Sequence, residues 1–163
     1  MTFHRFRIAL VVVATACALL PVAGAQTKPA PNCPTAKELK AAQLHGRWSV
    51  RFDKPPAGLP ATATMVLERH AEFAESLAGV VTRKLAAPQA GPGHAASAAL
   101  AGDLEEGLLL LDESSDNVSI TGAWNGELVA GSCGRVFRGM WKDTSSSAPP
   151  DAPDVPFTLT RLP

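Results

Sequence analysis

Across residues 44–53 apolar and polar positions alternate without a break. Leu44, Gly46, Trp48, Val50 and Phe52 fall on one face, and His45, Arg47, Ser49, Arg51 and Asp53 on the other. A period of two marks a β-strand with one buried face. Further segments of strand composition follow at fairly regular spacing: 61–69, 76–84, 96–103, 107–112, 117–124, 135–142 and 155–162. The stretches between them, 54–58, 88–93, 113–116 and 144–151, are rich in proline, glycine, serine and aspartate, which favour turns. This punctuation predicts an all-β fold, a single antiparallel meander most simply closed as an eight-stranded barrel; an open sandwich fits the same pattern. Asn125-Gly126 has the composition of a two-residue hairpin turn, which would make 127–130 a ninth strand.

Before residue 44 the pattern is different. Residues 27–34 are proline-rich and read as extended. Thr35 and Glu38 have capping-box spacing and predict a short helix to about Gln43. Farther upstream, Arg5 and Arg7 precede an apolar run, 8–20, and the small residues Ala23-Gly24-Ala25. That is the form of a secretory signal peptide, and the run is too short to remain as a bilayer-spanning helix. The expected organisation is a signal peptide over 1–25, an arm with a short helix over 26–43, and a barrel domain over 44–163. Cys17 raises lipoprotein-type attachment as an alternative, but Ala14-Thr15-Ala16 lack the leucine expected there, so cleavage after Ala25 is favoured.

Removing 25 of the 163 residues leaves 138, enough chain for one cored domain. The basic residues fall from 15 to 13 and the 15 carboxylates remain, giving a net charge of −2. With no basic run, nucleic acid is not an expected partner, nor is an anionic membrane surface, and the mature chain carries no integral span. Cys33 and Cys133 survive cleavage and are expected to pair, since an exported chain meets an oxidising compartment. Closing about 100 residues contributes at most roughly 4–5 kcal/mol on the chain-entropy account. The alanine- and proline-rich leader looks bacterial, so the expected location is the periplasm or the exterior.

Every tryptophan follows a glycine by two positions: Gly46-Arg47-Trp48, Gly122-Ala123-Trp124 and Gly139-Met140-Trp141. In a strand such residues share a face. Glycine leaves room beside a large indole and lets the strand bend. Three repeats predict a tightly curved sheet with tryptophans projecting inward. A short helix followed by a strand bearing Gly46-x-Trp48 resembles the opening of the calycins, the group that holds lipocalins, avidins and bacterial secreted metalloprotease inhibitors. The resemblance implies that Arg161, on the closing strand, packs over Trp48. The chain has no tyrosine, so it lacks the lipocalin Thr-Asp-Tyr motif and the tyrosine that avidins use toward biotin, which argues against biotin.

Little points to catalysis. His45, His70 and His94 show no ligand spacing, and no metal or cofactor is expected. Ser132-Cys133-Gly134 is better read as half a disulfide than as a nucleophile turn. Asp112, Glu113 and Asp116 group carboxylates that a hard cation would want, with Asp103, Glu105 and Glu106 nearby in sequence, but a solvated turn is the simpler reading. Asn117-Val118-Ser119 matches a glycosylation pattern by chance in a bacterial protein. The loop at 85–98 reads as a solvated linker at a barrel mouth. The expected function is therefore non-enzymatic: binding of a small apolar ligand inside the barrel by Trp48, Val50, Phe52, Trp124 and Trp141. The alternatives are a protein-binding module, such as a secreted-protease inhibitor that inserts the arm at 27–34, or a structural envelope protein with a filled core.

Overall fold

The computed structural model describes residues 33–85 and 96–163. The expected signal peptide, Cys17, residues 27–32 of the arm, and the centre of the 85–98 loop with His94 lie outside the described residues. Eight strands follow in order: β1 Gly46–Phe52, β2 Thr62–Arg69, β3 Leu77–Arg83, β4 Ser97–Glu105, β5 Leu108–Ser114, β6 Gly122–Leu128, β7 Val136–Asp143 and β8 Val155–Arg161. Each pairs antiparallel with the next, and β8 returns to β1 with Trp48 opposite Arg161 and Phe52 opposite Phe157. The sheet is thus a closed up-and-down barrel, not a sandwich, and closure leaves no bare edge.

The inward phase of each strand carries the core. Trp48, Val50 and Phe52 of β1 are buried while Arg47 and Arg51 are exposed, and the same alternation places Ala63, Met65 and Leu67 of β2 inside. The buried cluster runs through all eight strands. At roughly 25 cal/mol per Å² of apolar surface removed from water, such a continuous interior is the main favourable term in folding.

Two local expectations are corrected. First, 117–121 is loop and β6 begins at Gly122, so Asn125-Gly126 lies inside a strand and 127–130 is no ninth strand. Asn125 pairs with Leu110 and Met140, and Gly126 with Leu109 and Gly139. Packing overrides local turn preference here: a Cβ on Gly126 would stand 3.1 Å from the Phe157 ring. The tight hairpin falls instead at Glu106-Gly107, where both residues have positive φ, 47° and 87°, between paired Glu105 and Leu108. That is the conformation of a two-residue primed turn.

Second, the helix expected to run to Gln43 is reduced to a turn at 36–38 and a separate 3-10 turn, Ala41–Leu44. The Thr35–Glu38 interaction does form, with Thr35 N and Oγ1 both donating to Glu38 Oε2 at 2.9 and 2.8 Å. It does not propagate because Lys40 is extended, at φ −112° and ψ 151°. A continuous helix would also compete with the segment's other contacts. Cys33 is bonded to Cys133 in the β6–β7 loop, Leu39 packs at Gly134, and Leu44 is fully buried. The chain is stretched across one barrel end, which it plugs. The disulfide is consistent with an oxidising, extracytoplasmic environment. Among the described residues no helix is long and apolar enough to cross a membrane.

Candidate functional site

The plugged end is organised around Trp48. Its indole Nε1–H donates to Leu44 O at 2.8 Å, and its ring meets Phe137 edge-on at 5.9 Å. The Arg161 guanidinium lies 5.7 Å from the Trp48 ring centroid and donates to the carbonyls of Gln43 and His45. It therefore ties the last strand to the plug and covers the first tryptophan. Gly46, at φ 130°, adopts backbone that other residues rarely take, and its hydrogen side faces this guanidinium.

At the other end, the inward phases of β3 and β5 finish on charges. Leu77, Gly79, Val81 and then Arg83 point inward on β3; Leu109, Leu111 and then Glu113 do so on β5. Arg83 is 2% exposed and Glu113 is 1% exposed. They form a bidentate pair, Nη1 to Oε1 at 2.7 Å and Nη2 to Oε2 at 2.6 Å. Trp124 and Trp141 donate their indole N–H groups to Glu113 Oε2 at 3.0 and 3.2 Å. The same guanidinium sits 5.8 and 5.6 Å from the two indole centroids. Four charge-assisted hydrogen bonds and two cation–π contacts compensate the desolvation of two charges. Arg83 Nε is the one buried side-chain nitrogen or oxygen without a partner among the described residues. Gly122 makes the arrangement possible, since a Cβ there would lie 2.7 Å from Trp141 Nε1. Gly139 answers a different need, the close approach of the Asn125–Gly126 backbone on β6.

The residues expected to line a ligand cavity are placed as follows. Trp48, Val50, Phe52, Trp124 and Trp141 are all buried. Phe52, Trp124, Trp141 and Phe157 pack together with ring centroids 5.1–6.2 Å apart. Trp48 is with Phe137 at the opposite end. The aromatic set thus forms two clusters that pack on themselves.

Trp141 also borders a surface recess, of about 220 Å³. Its walls are Pro56 and Ala57 from the β1–β2 loop, Pro149, Ala152 and Pro153 from the β7–β8 loop, with Val155 and Asp143 at the strand ends. The volume is below the ~300–1,000 Å³ of sites for drug-sized molecules.

The acidic residues do not form a cation site. Strand alternation sends Glu113 inward to Arg83 and leaves Asp112 exposed on the outer face. Asp116 accepts from Val118 N, Ser119 N and Ser114 Oγ, and these backbone donors hold its carboxyl well below its ordinary range, at about 2. Asp103, bonded to Ser76, and Glu105 and Glu106 are near the plugged end, far along the barrel from Asp116. His70 Nδ1 accepts from the backbone of Glu72 and Phe73. Among the described residues no three histidine, cysteine or carboxylate side chains converge.

No family model matches the chain, and no curated protein matches it. Among solved structures it is similar to a redesigned β-barrel, with 12% identity over 76% of this chain and 95% of that one and a TM-score of 0.48. That likeness carries no functional weight.

Sequence reasoning missed Arg83 and Glu113. The signal was present: each is a charge on the apolar phase of an alternating strand, where a solvated residue is out of place. Two such charges of opposite sign on strands that share one neighbour point to a buried pair.

Proposed function

We propose that this is a non-enzymatic, exported binding protein of the periplasm or exterior that takes a small, largely apolar ligand at its loop end, in the recess over Trp141. The carrying observation is that recess. It is concave, lined by three prolines, two alanines, a valine and Asp143 with buried Trp141 at its floor, and framed by two loops on a closed barrel. Small ligands favour concave, mostly apolar sites with a few polar groups at barrel mouths. The buried clusters, including Trp48, Val50, Phe52 and Trp124, act in this reading as a rigid support, which limits the ordering cost of binding.

Native and denaturing mass spectrometry of protein purified from a periplasmic extract tests the reading. A mass excess that vanishes on denaturation, with an identifiable small molecule released, supports it. No excess, together with no response of the Trp141 indole to a panel of small apolar compounds, overturns it and turns attention to protein partners.

A further inference from the structure

The recess is not uniformly apolar. Asp143 lies on its wall, half-buried, at the end of β7. One carboxylate oxygen, Oδ1, accepts from Ser145 N at 2.9 Å, and among the described residues no cation is paired with Asp143. The two loops that frame the recess carry three more carboxylates, Asp53, Asp151 and Asp154, all exposed, against a single basic residue, Lys54. An unpaired carboxylate on an apolar wall interacts more strongly with charge than it would in water. Within these loops carboxylates outnumber basic residues, which favours a cation over an anion at the mouth, with exposed Arg51 and Lys142 on the outer faces of β1 and β7 acting against it.

From this we infer that the recess selects small organic cations: an ammonium group held at Asp143, with an apolar body against Pro56, Pro149, Pro153 and Val155. The inference rests on the recess being the ligand site, as proposed above. A neutral apolar molecule would leave the carboxylate partly desolvated with only the Ser145 N–H and no counter-charge, and an anion would be repelled. The volume suits a body of about the size of one aromatic ring with a short alkyl chain, smaller than a drug-sized ligand.

The test uses three probes of similar size and different charge: 2-phenylethylammonium, 2-phenylethanol and phenylacetate. Each is titrated into the ¹⁵N-labelled protein, and binding is read from the three tryptophan indole N–H signals, with Trp141 assigned through Trp141→Phe. The expected order is ammonium, then alcohol, then carboxylate. The ammonium should bind roughly three- to fivefold tighter than the alcohol, in keeping with a half-exposed ion pair. Asp143→Asn keeps an oxygen for Ser145 N, so folding is preserved. It should erase the preference for the ammonium over the alcohol. Equal binding of ammonium and alcohol, or a preference that survives Asp143→Asn, overturns the cation inference alone. Failure of all three probes to move the Trp141 signal overturns both it and the recess reading.

Discussion

Removing both members of the Arg83–Glu113 pair should cost no more than removing either one. In Glu113→Leu the guanidinium stays buried, 2% exposed, with no counter-charge, and both indole N–H groups lose their acceptor. Breaking a buried pair from one side costs about 3–5 kcal/mol. Arg83→Met leaves the carboxylate still accepting from two indoles, so its cost should lie toward ~3 kcal/mol. In the double variant no charge is buried, and the remaining penalty is the loss of the Glu113 acceptor by the Trp124 and Trp141 indoles, about 1–3 kcal/mol each before any gain from apolar packing. Replacement of a buried pair by apolar groups is commonly neutral or stabilising by ~1–4 kcal/mol. The double variant should therefore be no worse than either single one, and the coupling energy should be at least ~2 kcal/mol. Against a total stability of about 5–15 kcal/mol, each single change is severe. Guanidinium chloride unfolding, followed by tryptophan fluorescence and far-ultraviolet circular dichroism, measures all four corners of the cycle. Additivity within ~0.5 kcal/mol would refute the argument that the two charges compensate each other inside the barrel.

Other outcomes follow from the same geometry. Gly122→Ala forces a methyl to 2.7 Å from Trp141 Nε1 and should lower stability by about 1–3 kcal/mol in urea titration, whereas Ala at exposed Gly131, which has open space but a φ of 76°, should show only backbone strain. Cys33→Ser with Cys133→Ser should cost roughly 2–5 kcal/mol; reductant should reproduce the loss in the native chain and change nothing in the variant, as thermal melts would show. The Asp116 carboxyl is held down by Ser119 N and Val118 N, so its contribution to stability is complete above its ordinary value near 3.8 and is lost as pH falls through about 2. Exchange of those two amides, followed by nuclear magnetic resonance between pH 4 and 1.5, should rise only across that window, and in Asp116→Ala it should be fast throughout. Arg161→Ala should release the plug at Gln43 and His45 and speed amide exchange over residues 41–44 at least tenfold, with β5 and β6 unaffected.

Much of the barrel was legible because alternation is a local code. Leu44–Phe52 shows it with no interruption, and the strand that forms there is bounded within two residues of the expected one. The tryptophans of the Gly-x-Trp repeats are buried, while each glycine serves a different neighbour: a guanidinium, an indole nitrogen and a backbone. What failed was local chemistry overruled from a distance. Asn125-Gly126 looks like a turn in isolation, but Phe157, some thirty residues later, needs the space that Gly126 leaves. Thr35 to Gln43 looks helical, but it is tied at Cys33 and drawn inward at Leu39 and Leu44. The Arg83–Glu113 pair is hidden in the sequence because the carboxylates at 112–116 read together as one surface group. The same period of two that located the strands separates Asp112 from Glu113 by the whole thickness of the sheet. The recess could not be read at all, since its walls come from loops about ninety residues apart.

The seam between β1 and β8 has a consequence for how the chain arrives at its shape. Trp48 meets Arg161 across more than a hundred intervening residues, and the Cys33–Cys133 crosslink closes a sequence separation of 100. The other seven pairings join consecutive strands and can zip up hairpin by hairpin. This last one must wait until residues 155–161 have emerged, because the first strand has no partner on its free side before then. Pairings so distant in sequence form slowly, and a half-built sheet exposes two adhesive edges in the interval. A chain of this design that emerges from its N-terminus onward is most exposed to aggregation just before its final strand appears. Slowing delivery of the C-terminal twenty residues should therefore harm yield more than an equal delay anywhere earlier.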